Sequence, residues 1–292
     1  MGTDHLSERM AELRADAIRN ASTPGWAGVV VRHPVLATLV ILVVVFGFQQ
    51  AAGRMLLRGL DDGSEYSRQV GELIGETLSA VLVVAIILAL GWWRSVGLAG
   101  PVERKWVRLA WFPALIVVVL FVLQLMQSPL TDDLKWMGLG VPNVFMIGFF
   151  EEALTRGLVL FPMLVAWRSR PNGVMRAVLI SSLLFGLAHL INLFSGASLG
   201  PTLVQVGYAF GFGVGFAALL LRTNTMWIGI VLHALVDANS GAWFGPPADG
   251  GADDGSASIA PLLIVGLPLL VYGLVLIRKR KQQVPASSSA SR

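Results

Sequence analysis

Apolar residues fall along this chain in long runs separated by short polar connectors. Eight runs are about 18 residues or longer, the length at which a helix crosses a hydrocarbon core. They cover 34–53, 71–93, 107–127, 141–167, 174–193, 201–221, 226–244 and 259–277. Only helices and closed barrels satisfy their own backbone groups in lipid. A barrel needs short strands of alternating polarity, and the sequence has none. The pattern therefore predicts an all-α fold, a polytopic membrane bundle of about eight transmembrane helices. Ahead of the first run, Leu6, Met10, Leu13 and Ala17 recur at helical spacing among charged residues. This predicts a short amphipathic helix over 5–20, either an interfacial anchor or a solvated leader, closed by Ser22, Thr23, Pro24 and Gly25. The stretch 1–32 is polar and precedes a full-length span, so it does not read as a cleavable signal.

Composition agrees with this reading. Of the 292 residues 55% are hydrophobic and 14% are charged, where soluble domains carry nearer a quarter. There are no cysteines, which excludes disulfides, thiolate metal sites and a cysteine nucleophile. The net charge of +4 is modest, and the basic residues lie in connectors. They read as topology signals, not as a nucleic-acid surface. With eight spans, the side holding both termini collects seventeen Lys and Arg residues. The opposite side collects four: Arg54, Arg58, Arg68 and Lys135. The expectation is a multi-pass protein of the cell membrane with both termini cytoplasmic.

An ionisable side chain at mid-bilayer costs on the order of 3 kcal/mol and marks a candidate site. Most such groups here fall between Glu151 and Asp237, in three clusters. In the first, Glu152 and Arg156 are spaced i, i+4, share a helix face and can pair. Glu151 points about 100° away around the helix and is left free to move a proton. In the second, Phe185 precedes His189 by one turn and can pack on its ring; Asn192, three residues further, receives no role. In the third, His233 and Asp237 share a face, so that Asp237 can accept from one ring nitrogen and fix the tautomer. Buried ion pairs that only hold helices together would account for each cluster singly. Gly207, Gly211 and Gly215 form two small-xxx-small steps that read as close helix packing. Glu72 and Glu76 fall near the start of the second run and are assigned to the membrane interface. Asp249, Asp253 and Asp254 read as a solvated loop. Gly196-Ala197-Ser198-Leu199-Gly200 faintly resembles a rhomboid serine motif but reads as a turn before a helix, and no His-Glu-x-x-His zincin signature occurs.

Glu151-Glu152-x-x-x-Arg156, Phe185-x-x-x-His189 and His233-x-x-x-Asp237, in that order, resemble the motifs of the CPBP intramembrane proteases. That family includes the type II CAAX prenyl endopeptidases and bacteriocin-processing relatives. The likeness spans about 141–244. It implies a membrane endopeptidase in which Glu151 and His189 hold the attacking water and His233 with Asp237 faces the oxyanion. Glu152 and Arg156 would support them. The family often has Asn at the last position, where this chain has Asp237. The resemblance implies a mechanism without a metal cofactor; the residues themselves leave open zinc held by Glu151, His189 and His233.

The expected organisation has four blocks. Residues 1–33 form the N-terminal segment and 34–140 a scaffold of three helices. Residues 141–244 form the catalytic core, and 245–292 the last helix with a basic, Ser-rich tail. The expected partners are a peptide or membrane-protein substrate and the bilayer, with no nucleic acid. The other readings are a non-proteolytic immunity or scaffold protein using the same cavity and, ranked last, a proton-coupled transporter.

Overall fold

The computed structural model describes residues 25–60, 62–100, 102–167, 169–239, 242–244 and 258–278. The expected helix over 5–20, the loop aspartates 249, 253 and 254, and the basic tail lie outside these residues. Among the described residues the chain is helical throughout, with no strand. A short helix, α1 (Trp26–Arg32), precedes the first long one. Then come α2 (Pro34–Leu60), α3 (Glu65–Ala89) and α4 (Trp106–Leu125). The fourth apolar run is one continuous helical path in three parts: α5 (Leu134–Glu152), a π-helical stretch (Ala153–Leu160) and α6 (Phe161–Trp167). It is followed by α7 (Gly173–Ala188), which tightens into a 3₁₀ turn over His189–Ser195, and by α8 (Leu199–Thr223) and α9 (Trp227–Ala238). A π turn at Leu262–Gly266 leads into α10 (Leu267–Arg278).

Among the described residues each apolar run carries a helix, and five segments are long and apolar enough to cross a membrane: Pro34–Gly53, Glu65–Ala89, Trp106–Leu125, Gly173–Ser195 and Leu199–Thr223. The remaining runs differ for visible reasons. The fourth is interrupted by Glu151, Glu152 and Arg156. The seventh yields only the 12-residue α9, because 242–244 form a turn although Trp243 and Phe244 extend the apolar pattern. The second starts at Glu65, six residues before the expected boundary. Ser64 sets that start, since its hydroxyl oxygen accepts the Ser67 N–H at 3.1 Å.

Asp133 starts α5 in the same way. Its Oδ1 accepts the Trp136 N–H at 2.9 Å, and the Tyr66 hydroxyl of α3 donates to its Oδ2. The tyrosine hydroxyl first, and the Trp136 amide second, hold its carboxyl below the ordinary carboxylate range. A carboxyl depressed by folding contributes stability above its unfolded pKa and loses it as pH falls through the lowered value.

α8 is the central helix. In its apolar window 61% of residues are buried, against 11% for α2 and 17% for α4. α2 and α4 expose Val43, Val44, Val118 and Val122 instead, a surface suited to acyl chains. The glycines of α8 explain its position. A Cβ on Gly211 would stand 2.0 Å from the Gly266 carbonyl oxygen, and one on Gly213 would meet Ser182 at 2.8 Å. Backbone thus lies on backbone against the C-terminal helix, and α7 packs closely on another side.

Two predictions follow from these contacts. Gly211→Ala forces α8 and the C-terminal helix apart, at an expected cost of at least about 1–3 kcal/mol. A lower unfolding temperature in detergent checks this against Gly47→Ala, where a Cβ meets nothing within 4 Å. Asp133→Asn should weaken the α3–α5 contact near neutral pH and flatten the acid-side loss of stability, read from melting curves between about pH 3 and 7.

Candidate active site

The site forms where α5 and α9 cross. A Cβ on Gly148 would stand 3.0 Å from the Ala234 nitrogen and 3.1 Å from the Ile230 oxygen. With no side chain between the two backbones, the carboxylates one turn further along α5 reach His233. Gly229 leaves room for Glu152 in the same way, since a Cβ there would lie 3.0 Å from Glu152 Oε2.

Glu152 is the hub. Its Oε1 lies 3.0 Å from Arg156 Nη2 and 3.1 Å from His233 Nδ1. Their exposures are 1% for Glu152, 3% for Arg156 and 6% for His233, so these charges meet away from water. The guanidinium also lies over the Phe185 ring, 5.2 Å from its centroid. The expected Glu152–Arg156 pair is therefore present. The tautomer of His233, however, is governed differently from expectation. Glu152, not Asp237, takes Nδ1; Asp237 Oδ2 and Glu151 Oε2 both lie 3.6 Å from Nε2.

Two changes of helical register flank the site. Right after Glu152 the helix widens into π geometry, and the Thr155 hydroxyl donates to the Glu151 carbonyl oxygen at 2.5 Å. Such wide turns concentrate at functional sites. Pro162 follows this stretch and Pro268 the other π turn; each lacks an N–H and crowds the carbonyl four residues before it. Pro113 and Pro142 lie inside helices of ordinary register, so proline alone does not cause the widening. The second change is at His189, where α7 tightens into the 3₁₀ turn. His189 Nδ1 lies 3.0 Å from the Phe185 carbonyl oxygen. A carbonyl only accepts, so Nδ1 carries the proton and Nε2 of the neutral ring is the acceptor. Phe185 packs edge-on against His189, with ring centroids 5.0 Å apart.

Glu151, Phe185, His189, His233 and Asp237 all line one cavity of about 580 Å³. Glu152 and Arg156 stand behind it. Glu72 and Glu76, expected at the membrane interface, line the same cavity. The Gln49 amide donates to Glu76 Oε1 at 2.7 Å, and Asn143 donates to Glu72 Oε2 at 3.2 Å. Helices α2 and α3, expected only as scaffold, therefore build one wall of the site. Asn192, left without a role, donates to Gln205 at 2.9 Å and lines another wall. One signal pointed to Glu76: measured from Glu65, it lies about 16 Å along α3, well inside the span. Among the described residues no group of three or more His, Asp or Glu side chains stands arranged as a metal site.

Residues 133–239 match the model of the family described as type II CAAX prenyl endopeptidase Rce1-like. The match contains all seven residues expected at the site. The description of that family is of an endopeptidase, and the match covers little more than a third of the chain. No curated protein and no solved structure matches the chain.

Removing one partner of the buried pair isolates a charge. Arg156→Ala should destabilise the protein by about 3–5 kcal/mol, while the matched replacement Glu152→Gln with Arg156→Met should recover much of that loss. Thermal unfolding in detergent checks the order.

Proposed function

We propose that this chain, whose residues 133–239 match the model of the type II CAAX prenyl endopeptidase Rce1-like family, hydrolyses a peptide bond within the membrane using water activated by Glu151 and His189. One observation carries the reading: Glu151, His189, His233 and Asp237, drawn from three separate helical segments, line a single cavity. The His233 ring there is held at 3.1 Å by Glu152, with Glu151 and Asp237 each at 3.6 Å from its other nitrogen.

Peptide hydrolysis requires a base for water, donors for the developing oxyanion and an acid for the departing amine. The Nε2 lone pair of His189 accepts from the water and orients it. Glu151 takes a proton from that water as its oxygen attacks the carbonyl carbon. The carbonyl oxygen becomes an oxyanion beside His233. A ring that donates to Glu152 through Nδ1 and to the oxyanion through Nε2 is the imidazolium, and the carboxyl groups of Glu151, Glu152 and Asp237 balance its charge. Asp237 acts on the ring and not on the oxyanion, which a carboxylate would repel. Glu151 then returns its proton to the amine nitrogen as the C–N bond breaks. Phe185, against His189 and under Arg156, holds both in position. The substrate is a peptide or a membrane-associated protein, and both termini face the cytoplasm of the cell membrane, as the Lys and Arg asymmetry favours.

Purified wild type and Glu151→Gln are compared on a quenched-peptide library in detergent. The expected loss is roughly 100-fold or more in turnover, the scale of a missing general base. A strong chelator should leave wild-type cleavage unchanged. Equal cleavage by the two proteins removes Glu151 from the mechanism, and cleavage lost to chelator and restored by zinc replaces the mechanism with a metal-assisted one.

A further inference from the structure

The cavity is closed toward one end of the bundle and open toward the other, and the connectors show which end is which. They gather into two layers. In one, the Thr131 N–H donates to the Trp243 carbonyl oxygen at 2.9 Å, and Tyr66 donates to Asp133. In the other, the Glu103 N–H donates to the Thr223 carbonyl oxygen and the Met226 N–H to that of Gly97, both at 2.9 Å. α1 packs against α6 at this second layer, and Tyr272 of α10 donates to the Leu109 carbonyl oxygen in the first turn of α4. Both ends of the described chain therefore lie with the second layer. The cavity lies toward the first. Its lining takes Glu72 from the first half of α3, Ser195 from the 3₁₀ turn after α7, Gln205 from the first two turns of α8 and Asp237 from the last turn of α9. Ser195 is exposed. Toward the second layer the lining stops at Glu76, Thr155, Phe185, Phe212 and His233. Within two turns beyond, Val83, Leu158, Val178, Val214 and Ile230, one from each of the same five helical paths, all have 0% exposure. They belong to one apolar cluster, and side chains packed so closely admit neither water nor a peptide.

We propose that the cavity is entered from the extracytoplasmic side, so that the substrate is a peptide or a membrane-protein segment presented there and not a chain offered from the cytoplasm. The inference rests on the proteolytic reading above. It joins two independent observations. The packed layer closes the cavity on the side of the termini. That same side carries the excess of Lys and Arg, seventeen against four, which marks it as cytoplasmic. Water for the hydrolysis enters by the same mouth as the substrate, and the apolar layer keeps the reaction from opening a path across the membrane.

The chain has no cysteine, so single cysteines report access directly. Ser195→Cys marks the mouth and Ala188→Cys the cavity wall. Arg170→Cys marks the exposed connector between α6 and α7 on the side of the termini. Each full-length variant is treated in intact cells with a small, membrane-impermeant cationic methanethiosulfonate, then again after permeabilisation. Ser195→Cys and Ala188→Cys should label in intact cells, and Arg170→Cys only after permeabilisation. Ala188→Cys labelled only after permeabilisation overturns the proposal, as does Arg170→Cys labelled in intact cells. These readouts need no proteolysis. In a second measurement, sealed right-side-out vesicles holding wild type receive a quenched peptide from outside. Cleavage without permeabilisation is expected, and cleavage that begins only on permeabilisation overturns the proposal while leaving proteolysis intact. Failure of the underlying reading looks different, as cleavage unaffected by Glu151→Gln.

Discussion

Charge removed from water must be answered by charge, and the whole of this bundle is arranged around one such answer. Glu152, Arg156 and His233 lie where solvent does not reach, in a fold whose surroundings are hydrocarbon. An isolated ion there would cost several kcal/mol, so the helices carrying the partners are bound to a fixed register. Gly148 and Gly229 permit the approach, the wide turn after Glu152 sets the angle, and Phe185 closes the guanidinium on its apolar side. Glu151 is presented to the cavity because its neighbour is committed elsewhere. Two adjacent glutamates on one helix thereby acquire unlike surroundings, on which the proposed division of duties rests.

The division holds for the histidines as well. His189 bonds to a backbone carbonyl within its own helix, a local contact that fixes which nitrogen carries the proton. His233 is held by carboxyl groups from two helices, a long-range contact that concentrates negative charge around one ring. The hydrolysis proposed above, which both takes up a proton and steadies an anion, is served by two imidazoles in different electrical surroundings. The chain obtains them from one residue type by choice of neighbour.

Much of this was legible in the order of residues. Apolar length located the helices, because the lipid requirement is local and one-dimensional. The Glu152–Arg156 pair followed from helical spacing, and so did the packing of Phe185 on His189. What escaped depended on which helices become neighbours. Nothing short-range in α3 announces that Glu76 faces Glu151. Nor does the i, i+4 spacing of His233 and Asp237 reveal that Glu152, eighty-one positions away in sequence, takes the nitrogen that Asp237 was expected to hold. The length of α9 was overestimated because Trp243 and Phe244 continue an apolar pattern after the backbone has turned.

The seam between α8 and the C-terminal helix bears on how the molecule is made. The backbone of α8 around Gly211 is covered by Gly266 and its neighbours, which the ribosome supplies after α8 itself. Every residue of the candidate site, from Glu151 to Asp237, is synthesised before that cover exists. During this interval the candidate span with the largest buried share has one flank without its final partner, and a glycine stripe on such a flank is a surface for close helix packing. The small residues that later allow tight closure are, until the C-terminal helix arrives, a surface on which any close-packing helix can settle.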